Sequence, residues 1–68
     1  MSTVEIPDVK ALKETEKAVL CFIDEEEIWV PKSVIDEESE VQGENDDGTL
    51  VIQKWFALKN EALEPYAD

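Results

Sequence analysis

Carboxylates are the chemically capable side chains this sequence holds in quantity. The 68 residues include 18 Asp and Glu against six Lys, with no His and no Arg, for a net charge of −12. Most of that excess sits between positions 24 and 47, which hold eleven acids and one lysine. The acids there form three clusters: Asp24, Glu25, Glu26 and Glu27; Asp36, Glu37, Glu38 and Glu40; and Glu44, Asp46 and Asp47. Carboxylates at this density are able to imitate the phosphates of a nucleic-acid strand, which repeat about every 3.4 Å. Such a surface would occupy the basic groove of a DNA- or RNA-handling protein. The plainer reading is a solvated face that keeps a small protein soluble. Calcium is a poorer fit, because Asp46-Asp47-Gly48 lacks the ordered ligand spacing of a calcium loop. No metal and no cofactor is expected.

Other chemistry is excluded by the residue types. Without His there is no imidazole ligand and no triad or dyad of the usual kind. A single Cys21 excludes an intrachain disulfide, a redox pair and a thiolate zinc site. Lying in the run Ala18-Val19-Leu20-Cys21-Phe22-Ile23, it reads as a small buried hydrophobe. Lys32-Ser33 would need a lysine of depressed pKa in a dry cleft to act as a nucleophilic pair, and a chain this small and acidic offers none. Ser33 to Asp36 has the spacing of a helix-capping box instead. No enzyme is expected.

The elements that must position these residues are read from hydropathy. Residues 1–8 read as a flexible arm broken by Pro7, and residues 9–14 as an edge strand guarded by Lys10 and Lys13. Residues 17–23 give the clearest strand, and a four-residue acidic loop at 24–27 joins it to a second strand through Ile28-Trp29-Val30, ended by Pro31. A short charged strand at 37–42, a turn at 43–48 and a strand at 49–52 follow. From Gln53 to Leu63 the apolar spacing changes to three and four, predicting an amphipathic helix that Pro65 stops, with residues 64–68 as a tail. The expected fold is a mostly β, α+β single domain spanning 1–68: a small antiparallel sheet or open barrel with one C-terminal helix.

Two aromatic features stand apart. Trp29 alternates to the opposite face from Ile28 and Val30, so its strand is either buried on both sides or sticky on one. Trp55 and Phe56 are about 100° apart on the expected helix, so one of them is a candidate interface anchor. A body of 7.7 kDa buries roughly 60% of its extended-chain surface, enough for one thin core. The charge argues against direct binding of nucleic acid or of an anionic membrane, and no apolar run reaches the roughly 20 residues that span a bilayer. A lone cysteine and a polar N-terminal stretch point to a reducing cytoplasm. Crowded carboxylates are expected to repel one another and titrate high, so that stability rises between about pH 8 and pH 5.5.

The segments KALKETEKAVLCFID, EIWVPKSVI and TLVIQ leading into WFALKNEAL resemble a group of small acidic proteins carried by bacteriophages and other mobile elements of bacteria. The resemblance runs from about Lys10 to Leu63 and is most specific at Glu27-Ile28-Trp29-Val30-Pro31-Lys32-Ser33-Val34-Ile35. It implies a phage-type origin and a compact β-rich fold, and carries no active-site residue with it. The chain is similar in size and charge to anti-CRISPR and anti-restriction proteins. The functional expectation is a non-enzymatic inhibitor whose three acidic clusters, with Trp55 and Phe56, bind a basic, nucleic-acid-handling host protein. The alternative is a protein-binding adaptor in phage replication, recombination or transcription, using an apolar Trp/Phe patch.

Overall fold

The apolar run Ala18–Ile23 is a strand, as its β-branched and aromatic content predicts, and the chain is organised around it and the strand before it. The computed structural model describes residues 2–67. Four antiparallel strands, β1 (Thr3–Glu14), β2 (Ala18–Ile23), β3 (Glu26–Pro31) and β4 (Asp47–Gln53), form one open sheet in the order β3-β2-β1-β4. The sheet does not close into a barrel. A short helix, α1 (Lys54–Leu58), follows β4, and 3₁₀ turns occupy Lys32–Val34 and Glu64–Ala67.

One face of the sheet carries the core. Val4, Ile6, Val9 and Ala11 of β1 meet Val19, Cys21 and Ile23 of β2, Ile28 and Val30 of β3, and Leu50 and Ile52 of β4. Val34, Val41, Ala57, Leu63 and Ala67 cover this layer from the connecting segments. Cys21 has no exposed surface, and burial pushes its thiol up to about 11. A thiol so protonated at neutral pH is an inert packing group, as expected.

β1 corrects the first expectation. Residues 3–8 are no arm: they pair with β4, and β1 is an inner strand rather than an edge. The alternation of buried residues slips by one between Ile6 and Val9, where Pro7 and Asp8 together stand against Thr49. This is a β-bulge, with Asp8 at φ 57 taking up the extra residue. Pro7 loses no ladder bond there, because a bulge leaves its extra residue unpaired. A second irregularity leaves Leu12 unpaired between Ala11↔Cys21 and Lys13↔Leu20.

The β2–β3 hairpin turns in two residues, not four. Asp24 and Glu25 both have positive φ, 49 and 68, as the type I′ turn requires, so Glu26 and Glu27 are already strand. The expected strand at 37–42 is absent, and Ser33 caps nothing: Pro31 is the cap of the 3₁₀ turn and makes no side-chain bond. The helix stops at Leu58 because Asn60 takes over the backbone. Its carbonyl accepts from the N–H of Leu63 and of Glu64, and its Oδ1 from Ala62 N–H. Residues 64–67 are not a free tail, since they form a turn that buries Ala67. No helix among the described residues is long and apolar enough to cross a membrane.

Candidate protein-binding face

Every strand also has an outward side, and over β1, β2 and β3 no described element covers it. Three rows of paired residues compose the outer face over β1, β2 and β3. Lys10, Phe22 and Glu27 make one row, Lys13, Leu20 and Trp29 the next, and Ala18 lies beside Pro31. Leu12, Phe22 and Trp29 are 38%, 38% and 48% exposed, while Leu20 at their centre is only 8% exposed. Leu20 is therefore buried by its own neighbours, outside the main core. A contiguous apolar patch with a filled centre and an aromatic rim is the composition of a contact surface.

The same face changes character toward β4. Glu5, Asp36, Glu38 and Glu40 line a shallow groove of about 600 Å³ with Thr3, Thr49 and Val51 as its floor. Between groove and patch lies a smaller depression of about 430 Å³, bounded by Asp8, Lys10, Phe22, Asp47 and Gly48. Acid and aromatic surface thus share one side of the sheet.

Several of the expected contact acids have work inside the fold. Asp36 Oδ2 accepts from Glu38 N–H at 3.0 Å and Glu40 Oε1 from Thr49 N–H at 2.8 Å. Asp46 Oδ2 accepts from the N–H groups of Gln42 and Gly43 at 3.0 and 2.9 Å. Asp24 accepts from the Tyr66 hydroxyl, which ties the last turn to the hairpin tip and raises the phenol's pKa. Glu25, Glu26, Glu27, Glu37, Glu38, Glu44 and Asp47 have no side-chain hydrogen bond among the described residues. The three clusters do not merge into one row. The first sits at the hairpin end, the second along the groove, and Asp47 of the third borders the depression.

Trp55 and Phe56 lie on the other side of the sheet, since α1 packs on the core face through Ala57. Phe56 is half-buried against the core and meets Trp55 edge-on at 6.0 Å. Trp55 is 54% exposed, with the Lys59 ammonium 5.7 Å from its ring centre. Lys32 pairs with Glu14, so the Lys32-Ser33 step has a structural occupation for its amine. No group of three or more His, Cys, Asp or Glu side chains converges to hold a metal among the described residues.

Ser39 is the structural residue that sequence reasoning missed. It is the buried polar side chain among the described residues, 6% exposed, and its hydroxyl ties the 35–46 segment to β4. Oγ donates to Val41 C=O at 2.9 Å and accepts from Val41 N–H at 3.2 Å and Val51 N–H at 3.0 Å. Asp36 N–H to Val51 C=O and Glu40 N–H to Thr49 C=O complete the cover of the outer β4 edge. A serine among acids carries no sequence signal of this duty.

The resolved carboxylate shifts run opposite to the expected direction. Hydrogen bonding to Lys32, then to Glu44 N–H, holds Glu14 below its ordinary 4.5. The Gln42 and Gly43 N–H groups hold Asp46 below its ordinary 3.8. A depressed folded-state pKa contributes stability that is full above the unfolded value and lost as pH falls through the folded one. Acidification below about pH 4 should therefore loosen the 42–46 loop first. Amide exchange should accelerate at Gln42, Gly43 and Glu44 before the β2 amides change; a uniform response along the chain would contradict this.

No protein-family profile, curated protein or solved structure matches the chain.

Proposed function

We propose that this chain is a non-enzymatic, phage-type binding protein that docks the outer face of its sheet on a basic, nucleic-acid-handling protein. The observation that carries this reading is the exposed patch of Leu12, Phe22 and Trp29 around Leu20, on the same side of the sheet as the carboxylate groove. The two parts have different duties. Desolvated aromatic side chains supply most of the binding energy at such interfaces, and exposed charge supplies steering and choice of partner. A body of net charge −12 draws a basic partner from a distance and repels nucleic acid itself.

The groove favours a second, narrower form of the same function. Glu5, Asp36, Glu38 and Glu40 facing one trough would stand in for a short phosphate run, so that the partner loses its nucleic acid on binding.

The test is capture from bacterial lysate on the immobilised protein, at low and high salt. Glu5→Lys/Glu38→Lys is the useful variant, because neither carboxylate holds the fold through a side-chain bond among the described residues. Retention of a basic protein that the double reversal and high salt both abolish is the expected result. Retention indifferent to both would overturn the reading. Simultaneous binding of nucleic acid and this chain by the partner would remove the mimicry form alone.

A further inference from the structure

The two edges of the sheet are treated differently. The outer edge of β4 is closed by Asp36, Ser39 and Glu40. The outer edge of β3 is open. In an antiparallel pair, residues alternate between exchanging both backbone bonds and directing them away. The two-residue turn makes Ile23↔Glu26 an exchanging pair, and Lys32 N–H to Lys17 C=O at 2.8 Å fixes the same phase at the far end. Glu27 and Trp29 therefore aim their N–H and C=O groups outward, where no other described segment hydrogen-bonds them.

Exposed edges are usually blunted by lysine, proline or a bulge. β3 has Pro31 at its end but no lysine within it; it carries Glu26, Glu27 and, in the adjoining turn, Glu25. Acids exclude a second copy, since pairing two such edges would oppose like charges on bodies of net −12. They select a basic strand. A cation on an added strand would lie about 5 Å from Glu27 across the ladder, and the next on that side would meet the half-exposed ring of Trp29.

We infer that the open edge of β3 accepts an extended lysine- or arginine-bearing segment of the partner as a fifth strand. This rests on the reading that the partner is basic, and it adds how part of that partner is held. Backbone bonds would give affinity, and the alternating side chains specificity.

The probe is a short capped peptide alternating lysine and valine, added to the ¹⁵N-labelled protein. Binding should slow exchange of the Glu27 and Trp29 amides by about tenfold or more, as new backbone bonds form. The same peptide N-methylated at alternate residues keeps its charge but cannot pair, and should bind at least about tenfold more weakly. Glu27→Pro removes an outward N–H without touching the β2 ladder and should abolish the protection; should that variant misfold, the N-methyl comparison decides. Equal binding of both peptides, no binding, or protection of these amides by raising protein concentration alone would each overturn the inference. A lysate partner whose capture needs Glu5 and Glu38 but leaves the β3 amides unprotected would overturn the strand addition while the docking reading stands.

Discussion

Trp29→Ala is expected to weaken binding of the captured partner by about 30-fold or more, the loss of a buried aromatic anchor worth at least about 2 kcal/mol. The ring is half exposed in the free chain yet backed by Leu20, a combination in which a partner desolvates the remaining surface without opening a hole beneath it. The fold should survive. Trp29 is an edge-strand residue whose direct cross-strand partner is Leu20, and such a pair contributes roughly 0.2–1 kcal/mol. Trp55→Ala is the matched control: an equally exposed indole on the opposite side of the sheet, expected to change affinity by less than about twofold. Titration calorimetry with both variants decides the matter. A larger loss from Trp55→Ala would move the anchor to α1 and restore the apolar patch that the helical spacing of Trp55 and Phe56 suggests.

Ser39→Ala is expected to cost the fold about 2 kcal/mol or more, because two N–H groups, of Val41 and Val51, lose their acceptor together, at about 1–3 kcal/mol each. For a domain of this size that is a fall of roughly 10 °C or more in Tm. Ser33→Ala, at an exposed hydroxyl with no hydrogen bond, should lie within about 0.5 kcal/mol of the parent. Denaturant melts give the difference, and amide exchange locates it. Thr49 and Val51 should lose protection before β2 does, because Ser39 holds the cover of their edge. A Ser39→Ala melt indistinguishable from Ser33→Ala would show that water replaces the hydroxyl without loss.

How far the residues announce this structure depends on whether a signal is local. The continuous run Ala18–Ile23, the buried Cys21 and the strand through Leu50 and Ile52 were legible because β-branched runs bounded by acids have few other outcomes. The first half of β1 was not. Its buried positions change phase at Pro7 and Asp8, and only the facing strand reveals that two residues there oppose one. The apolar spacing from Trp55 to Leu63 is real, but a five-residue helix and a turn centred on Asn60 satisfy it as well as one long helix. The acid clusters were legible as residues and not as a surface, since their separation depends on three different elements. The outer face was hidden for another reason. Leu20 and Phe22 sit in a run that would read the same whether a second layer covered it or not, and antiparallel sheets tolerate either.

The shared position of β1 also sets an order of assembly. β2 and β3 meet across two residues, and β1 and β2 across the short link from Glu14 to Ala18, so this meander closes through local loops. Hairpins of that kind form in about 1–10 μs. β4 pairs with the first part of β1, so the residues brought together, such as Val4 and Ile52, are separated by more than two thirds of the chain. Closing so long a loop is entropically costly before any contact rewards it. The meander is therefore the early unit, and β4 with its Ser39-fastened cover is the late one. An emerging chain would expose β1 as a free edge until its last third arrived, with Lys10 and Lys13 as its guard against wrong partners in that interval.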